Sequence, residues 1–393
     1  MRVFALVYFF VSCLWLQAQW QTADIRLFSD KSCKALSLSV LSGSYTMGSE
    51  QKKQINFQEK DIVYISFFND KVFVRNAEKN LGFFDSLYFY PQETNARIKL
   101  HLIADDKISR VYEGAFTIMP YFDQLLIINY ISLSSYLAGV LEAECGTEKE
   151  EEYYMAHAII SRTYLFKNIN RHLGEPYHLC DAVHCQVYKG RHSDENIFTA
   201  VQRTGDSVIM GPDTVLIDAT FHSNCGGQTM NSQDVWVKAH PYLVSVNDPW
   251  CRTASNANWT KRIPLDKWKA YLISAGIDET ELSTANMTFI QNSRKKYYVV
   301  GKKQILLKNI RDDWNLKSTF FSVEIQGKDV LFKGRGYGHG VGLCQQGAQE
   351  MAKNGKNYEE IIHFYFKNVQ IISATRLLQI KTSGLTPNEP VTP

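Results

Sequence analysis

Apolar and polar residues alternate with a period of two through residues 24–130, and the pattern stops at Ser134. Runs such as Ile25-Arg26-Leu27-Phe28, Ile62-Val63-Tyr64-Ile65-Ser66-Phe67, Ile98-Lys99-Leu100-His101-Leu102-Ile103 and Leu125-Leu126-Ile127-Ile128 are separated by the turn clusters Ser42-Gly43-Ser44 and Phe68-Asn69-Asp70. Successive side chains of a strand point to opposite faces, so this stretch is expected to be antiparallel sheet, a β-rich scaffold or binding module. From Ser134-Ser135 to Glu144 the apolar positions become Tyr136, Leu137, Val140 and Leu141, one face of a helix behind a serine N-cap. Thr147-x-x-Glu150 then has the form of a capping box, ahead of the stripe Tyr154, Ala158, Ile159 and Phe166. Glu144 is thus expected at the end of one helix, in the tight connection to the next.

Further along, residues 178–250 alternate loops with short strands, among them Ser207–Met210 and Val215–Ala219. Residues 259–330 read as a mixed insert, with a helix near 265–275 and strands at Lys296–Val300, Gln304–Leu307 and Phe320–Ile325. A glycine-rich run from Gly334 to Gly342 leads into a helix ended by Gly355, and Tyr358–Phe366 reads as the last helix. The expected fold class is α+β, antiparallel and β-rich, with a central helical segment carrying Glu144 at a cleft. The expected layout is a signal peptide at 1–18, a β-rich region at 19–130, a domain at 131–383 holding the insert, and a disordered tail at 384–393 with Pro387, Pro390 and Pro393.

Charge excludes one class of partner. With 43 Lys+Arg against 40 Asp+Glu, the chain does not bind nucleic acid by bulk charge. Arg2, the apolar run Val3–Leu16 and Gln17-Ala18-Gln19 form a signal peptide pattern, cut after Ala18, so the mature chain is expected to be exported. A lipoprotein acylated at Cys13 is the lesser alternative, because Phe10-Val11-Ser12 is a poor small-residue box. No second apolar run reaches the roughly 20 residues of a membrane helix. Processing leaves Cys33, Cys145, Cys180, Cys185, Cys225, Cys251 and Cys344, an odd set, so in an oxidising compartment at least one is unpaired or bound to metal.

Glu144 is the candidate acid, because the negative end of a helix favours the protonated form of a carboxyl group. The alternative is that Glu142, Glu144, Glu148 and Glu150–Glu152 form one solvated acidic face. Cys180, His184 and Cys185, with His172 or His178, supply the ligands of a tetrahedral, structural zinc site. A Cys180–Cys185 disulfide with surface histidines is the competing reading. Phe221 to Thr229 is a candidate binding loop, in which Cys225 pairs with Cys251 or is buried. Gly336 to Gly342 lacks the Gly-Lys-Ser/Thr ending of a phosphate loop, and its His339 is expected to contact substrate, bond near Glu144 or act as a capping histidine.

Five motifs in order resemble the SpoIID/LytB family: Ser135-Tyr136-Leu137-Ala138-Gly139-Val140 through Glu144, Ala156-His157-Ala158 to Tyr164, Cys185-Gln186-Val187-Tyr188-Lys189-Gly190, Ser223 to Thr229, and Gly336 to Ala348. The resemblance spans about residues 130–370. It implies a lytic transglycosylase that cleaves peptidoglycan glycan strands stripped of stem peptides, or a relative that enhances an amidase. It places the essential acid on Glu144 and the zinc ligands among His172, Cys180, His184 and Cys185. It places substrate contacts on Gln186, Tyr188, Ser223, Gly226, Gly227, Thr229, Gly338, His339 and Gly340. The implied partners are glycan strands and a cell-wall amidase, in the periplasm or cell envelope of a bacterium. Three motifs depart from the family pattern: Cys145-Gly146 stands for Met-Pro, Ala156-His157-Ala158 for Ala-Gln-Ala, and Cys344-Gln345-Gln346 for Ser-Gln-Tyr.

Overall fold

A computed structural model describes residues 22–50, 54–103 and 108–383, so the expected signal peptide, Cys13 and the tail 384–393 lie outside the described residues. The chain divides into two units, one of residues up to Glu148 with Leu165–Asp206 and Ser373 onward, the other of Lys149–Tyr164 and Ser207–Ile372. The junction expected at 130/131 falls inside the first unit.

The period-two pattern becomes sheet throughout the first unit. In chain order the strands are β1 (Thr22–Leu27), β2 (Ala35–Ser42), β3 (Tyr45–Ser49), β4 (Gln54–Phe57), β5 (Ile62–Phe68), β6 (Lys71–Arg75) and β7 (Asn80–Phe84). They continue with β8 (Leu87–Pro91), β9 (Arg97–Leu102), β10 (Ser109–Glu113), β11 (Ala115–Tyr121) and β12 (Gln124–Ser132), and a short β13 (Leu179–Cys180) joins them later in the chain. One sheet runs β13-β1-β12-β11-β8-β3-β4 and the other β10-β9-β2-β5-β6-β7, every pair but β1·β13 antiparallel. β11 and β12 approach β6 and β5, so the sheets pack face to face. Alternation follows the pleat: in β2 Leu36, Leu38 and Val40 are buried while the serines between them are not. Asn69 and Asp70 both adopt positive φ, the conformation of a tight hairpin turn between β5 and β6.

The Leu133–Cys145 helix follows β12, its N-cap at Ser132, whose hydroxyl accepts from Ser135 N at 3.1 Å. The cap therefore lies two residues before Ser134. Gly146 closes the helix with φ 71°, its N–H donating to Glu142 O. The next helix spans Glu151–Asn168, and Thr147 does not cap it. Glu148 at φ 60° lengthens the connection, and Glu150 takes the cap position, its carbonyl accepting from Tyr153 and Tyr154.

The second unit contains the insert, which has its own core. Strands Asn258–Pro264, Asp329–Arg335 and Phe321–Gln326 form an antiparallel sheet in that spatial order. The Leu265–Ser274 helix buries Trp268 completely against Tyr298 and Phe332. The helix and the three strand runs read from sequence are all present, and the sheet extends to Arg335 rather than stopping at 330. Val215–Ala219 is not a strand; only Leu216 bridges to Met210, across the turn Gly211 to Thr214. The helix Tyr358–Tyr365 is not the last, since Ala374–Ser383 is also helical.

Gly139 sets how closely the first unit's helix meets the chain that follows. A Cβ at 139 would collide with the Gly190 carbonyl and the Tyr188 ring. Tyr188 is fully buried beside Tyr136 and Tyr112, with ring centroids 5.1 and 5.9 Å away. Gly139→Ala should therefore destabilise the fold by about 1–3 kcal/mol, as overpacking does. A lowered midpoint in denaturant at unchanged slope is the expected result, and an unchanged midpoint would refute the contact.

Candidate functional site

Glu142 and Glu144 stand at the same helix end in different surroundings. Glu142 accepts from Ser193 N at 2.6 Å, Ser193 Oγ at 3.0 Å and Asp194 N at 3.3 Å, which makes it an anchor for the start of the Glu195–Arg203 helix. Glu144 accepts a longer bond at 3.3 Å from Val187 N. Its carboxyl is raised above the ordinary 4.5, chiefly by burial, while the Val187 N–H and Lys189 act in the opposite sense. Burial, rather than the helix terminus invoked from sequence, is the main cause. A carboxyl group so placed keeps its proton to a higher pH, as a general acid requires. Of the neighbouring motif residues, Gln186 is buried and its Oε1 accepts from Tyr136 Oη at 3.4 Å. Tyr188, whose hydroxyl donates to Asn129 Oδ1 at 3.4 Å, is packed inside the unit and holds the Val187 segment in place.

The candidate metal ligands lie in the loop between Asn168 and Gln186. Donor atoms of His172, Cys180, His184 and Cys185 all fall within 4.8 Å of one another. His172 Nε2 is 3.3 Å from Cys185 Sγ, and His184 Nδ1 is 3.7 Å from Cys180 Sγ and 3.5 Å from Cys185 Sγ. Two thiols and two imidazoles in such a group fit a tetrahedral zinc ion with a closed shell. The Cys180 thiol is pushed down to about 3, first by the hydrogen bond from Cys185. Neither cysteine is bridged. His178 stands apart from the group: its Nδ1 accepts from Asp24 N at 3.2 Å, which leaves His172 as the fourth ligand.

Pairing in register fixes this loop. β13 runs parallel to β1, with Ile25 opposite Leu179 and Arg26 opposite Cys180. Asp181, absent from the sequence-based candidates, accepts from Phe28 N at 2.7 Å, Ser29 N at 2.9 Å, Ser29 Oγ at 2.7 Å and Arg110 Nη1 at 3.0 Å. Four donors on a buried carboxylate hold the residue after Cys180 rigidly. A lone aspartate in a loop carries no local pattern by which it could have been found.

The remaining candidates belong to the second unit. Strand Phe221–His222 runs parallel to Leu343–Cys344, bringing the Ser223–Thr229 loop beside the Gly336–Gly342 turn. Ser223 is half-buried, and its Oγ accepts from Asn256 Nδ2 at 3.0 Å. Thr229 is buried and bonds both ways with Val246, its Oγ1 accepting from Val246 N at 2.8 Å. Gly226 and Gly227 have φ of 71° and 97°, and Gly338, Gly340 and Gly342 have φ of 107°, 82° and 73°. Three left-handed glycines fold the second turn around His339. Val341 N donates to His339 Nδ1 at 3.1 Å, so Nε2 carries the proton and donates to Phe221 O at 2.9 Å. Burial pushes this imidazole down to about 4. His339 is therefore a neutral pin between two main-chain segments, while the cap of the helix that follows is Cys344.

Residues 121–210 match the family model described as Stage II sporulation protein (SpoIID). That segment contains Glu144 and the four His/Cys ligands and ends before Ser223. An uncharacterized protein of Brachyspira hyodysenteriae is 28% identical over 272 residues, covering 68% of this chain and 73% of the relative. A Stage II sporulation protein D of Bacillus amyloliquefaciens is 29% identical over 269 residues, covering 64% of this chain and 77% of its own. An amidase enhancer of Bacillus subtilis is 25% identical over 294 residues, covering 60% of this chain and 40% of its own.

The raised carboxyl of Glu144 has a stability signature. Because its folded value lies above the unfolded 4.5, ionisation weakens the fold increasingly as pH rises through and above that value, and the penalty is absent at lower pH. Glu144→Gln should thus raise the melting temperature at pH 7, with the gain fading below about pH 4 as the wild-type carboxyl is protonated in both states. Equal melting temperatures of the two proteins across this range would contradict the assignment.

Proposed function

Since this chain belongs to the SpoIID/LytB family, we propose that it acts on the bacterial cell wall as a lytic transglycosylase, with Glu144 as acid and base. The observation that supports this reading is the carboxyl of Glu144, half-buried, raised above its ordinary value by that burial and still reached by the Val187 N–H. Protonated Glu144 donates to the glycosidic oxygen between N-acetylmuramic acid and N-acetylglucosamine as positive charge develops at C1. The resulting carboxylate takes the proton of the sugar's own C6 hydroxyl, which attacks C1 and closes a 1,6-anhydro ring. One carboxyl group therefore serves both halves of the reaction, with neither water nor a covalent enzyme intermediate. The Val187 N–H and Lys189 favour the carboxylate as it forms, while burial favours the acid that begins the cycle.

Tyr188 acts in this scheme through packing, by holding the Val187 backbone against Glu144. Gln186 stands beside it, bonded to Tyr136. In the second unit, Ser223 and the backbone of Gly226, Gly227, Gly338 and Gly340 are the proposed contacts for the glycan strand, with Thr229 and His339 shaping those loops. A zinc ion held by His172, Cys180, His184 and Cys185 would cross-link the loop that leads to Val187. With four protein ligands it keeps no open position and takes a structural part. The chain is proposed to work after export, in the periplasm or cell envelope. Among the described residues no helix is long and apolar enough to cross a membrane.

Similarity to an amidase enhancer favours a second reading, in which the same surfaces bind glycan and stimulate a cell-wall amidase without cleavage. Mass spectrometry separates the two after the exported chain is incubated with intact and peptide-stripped glycan strands. The transglycosylase reading predicts 1,6-anhydro ends on stripped strands, reduced about 10²–10⁴-fold by Glu144→Gln, the range for loss of a general acid. Cleavage undiminished in that variant would overturn the role of Glu144. Strand binding without cleavage, together with stimulation of a cell-wall amidase, would establish the enhancer reading.

A further inference from the structure

The second unit holds a cluster of ligand-type side chains that the glycan reaction does not use. Cys225, Asp248, Cys251 and Cys344 are each completely buried, and one donor atom from each lies within 4.8 Å of all the others. Cys225 Sγ stands 3.3 Å from Cys251 Sγ and 3.2 Å from Asp248 Oδ2. The four residues come from three separate parts of the chain. Cys225 follows strand Phe221–His222, Asp248 and Cys251 share one Asp-x-x-Cys turn, and Cys344 is the N-cap of the Gln345–Lys353 helix. Ligand atoms held at about 2.0–2.3 Å around a tetrahedral zinc ion stand about 3.3–3.8 Å from one another, close to the spacings seen here.

We propose that Cys225, Asp248, Cys251 and Cys344 form a second metal site, separate from the His172 group, that takes a soft divalent cation of the zinc class and closes its shell with three thiolates and one carboxylate. The groups around the cluster suit bound thiolates. Cys344 Sγ accepts from the N–H groups of Cys225 at 3.2 Å and Gly347 at 3.4 Å. Asp248 is oriented through both oxygens, Oδ1 accepting from Trp250 N at 2.9 Å and Oδ2 from Tyr365 Oη at 2.9 Å, the outer support typical of a ligating carboxylate. Arg294 donates to the Cys225 carbonyl at 2.7 Å, and its guanidinium lies in the field of all three sulfurs, offsetting the net negative charge of a zinc ion with four anionic ligands. An added Cβ at Gly347 would collide with Asp248 Oδ2 and Tyr365 Oη, so the helix presses its backbone directly on this support.

The rival is a Cys225–Cys251 disulfide, natural for an exported chain. It would engage two of the four groups and leave the fully buried Asp248 carboxylate, whose charge burial disfavours, with hydrogen bonds alone. A metal ion satisfies all four groups at once. Binding releases the protons of the thiols as each sulfur becomes a ligand, and no oxidant is involved. The site ties together the Ser223–Thr229 loop, the Asp248 turn and the helix after the Gly336–Gly342 turn. It is therefore structural, and it confers rigidity on loops proposed to meet the glycan.

Metal analysis of the full chain, purified with zinc and without oxidant, tests the proposal together with thiol trapping. The expected result is two zinc ions per wild-type chain, one remaining in Cys180→Ser, one remaining in Cys251→Ser, and none in the double variant. In the wild type, Cys225, Cys251 and Cys344 should resist alkylation until a chelator is added. Should either variant fail to fold, cobalt(II) loaded into the wild type decides: two ions per chain, with intense sulfur-to-cobalt charge transfer for five thiolates, support the site. One ion per chain that disappears in Cys180→Ser, or a peptide pair linked through Cys225 and Cys251 after non-reducing digestion, would overturn it.

Discussion

The contact between the Gly139 backbone and the Tyr188 ring controls the geometry of the first unit's site. Only a residue without a Cβ lets the Leu133–Cys145 helix lie against the Gly190 carbonyl and the buried tyrosine. That approach carries the Val187 N–H to 3.3 Å from Glu144 Oε1. The same segment begins directly after Cys185, so the helix, the acid and the His/Cys group form one mechanical assembly. Asp181 completes it by fixing the residue after Cys180 to β1 and Arg110 through four hydrogen bonds.

Within this assembly two carboxylates two residues apart are treated in opposite ways. Glu142 faces the start of a helix and accepts hydrogen bonds from Ser193 and Asp194, the place of a carboxylate that caps a helix N-terminus. Glu144 is half-buried, and that burial raises its carboxyl above the ordinary value, which suits a group that must hold and release a proton. Spacing alone assigns both to one acidic face. The helix-start contacts of Glu142 and the raised carboxyl of Glu144 are the physical basis for choosing Glu144.

Much of the architecture was legible because it follows from local periodicity. The strands of residues 24–130, the Asn69-Asp70 turn and the helix and strands of the insert rest on patterns of two or 3.6 residues. Cap positions were harder: Ser132 and not Ser134 caps the first helix, and in the connection to the next a positive-φ Glu148 lets Glu150 displace Thr147. The roles of Tyr188 and His339 were not legible, because both depend on what surrounds them. Tyr188 is enclosed by Tyr112 and Tyr136, and His339 has both ring nitrogens on main-chain groups. Asp181 and Asp248 escaped notice for the same reason, each being a single aspartate whose partners lie far away in sequence.

The chemistry rests on one claim, that Glu144 directs the sugar's own hydroxyl, and not water, to C1. Cleavage of peptide-stripped strands in water enriched with oxygen-18 tests it most directly. The account predicts new muramyl ends that carry the anhydro mass and no heavy oxygen. Ends heavier by one labelled oxygen would show that water is the nucleophile and would contradict the single-carboxyl mechanism.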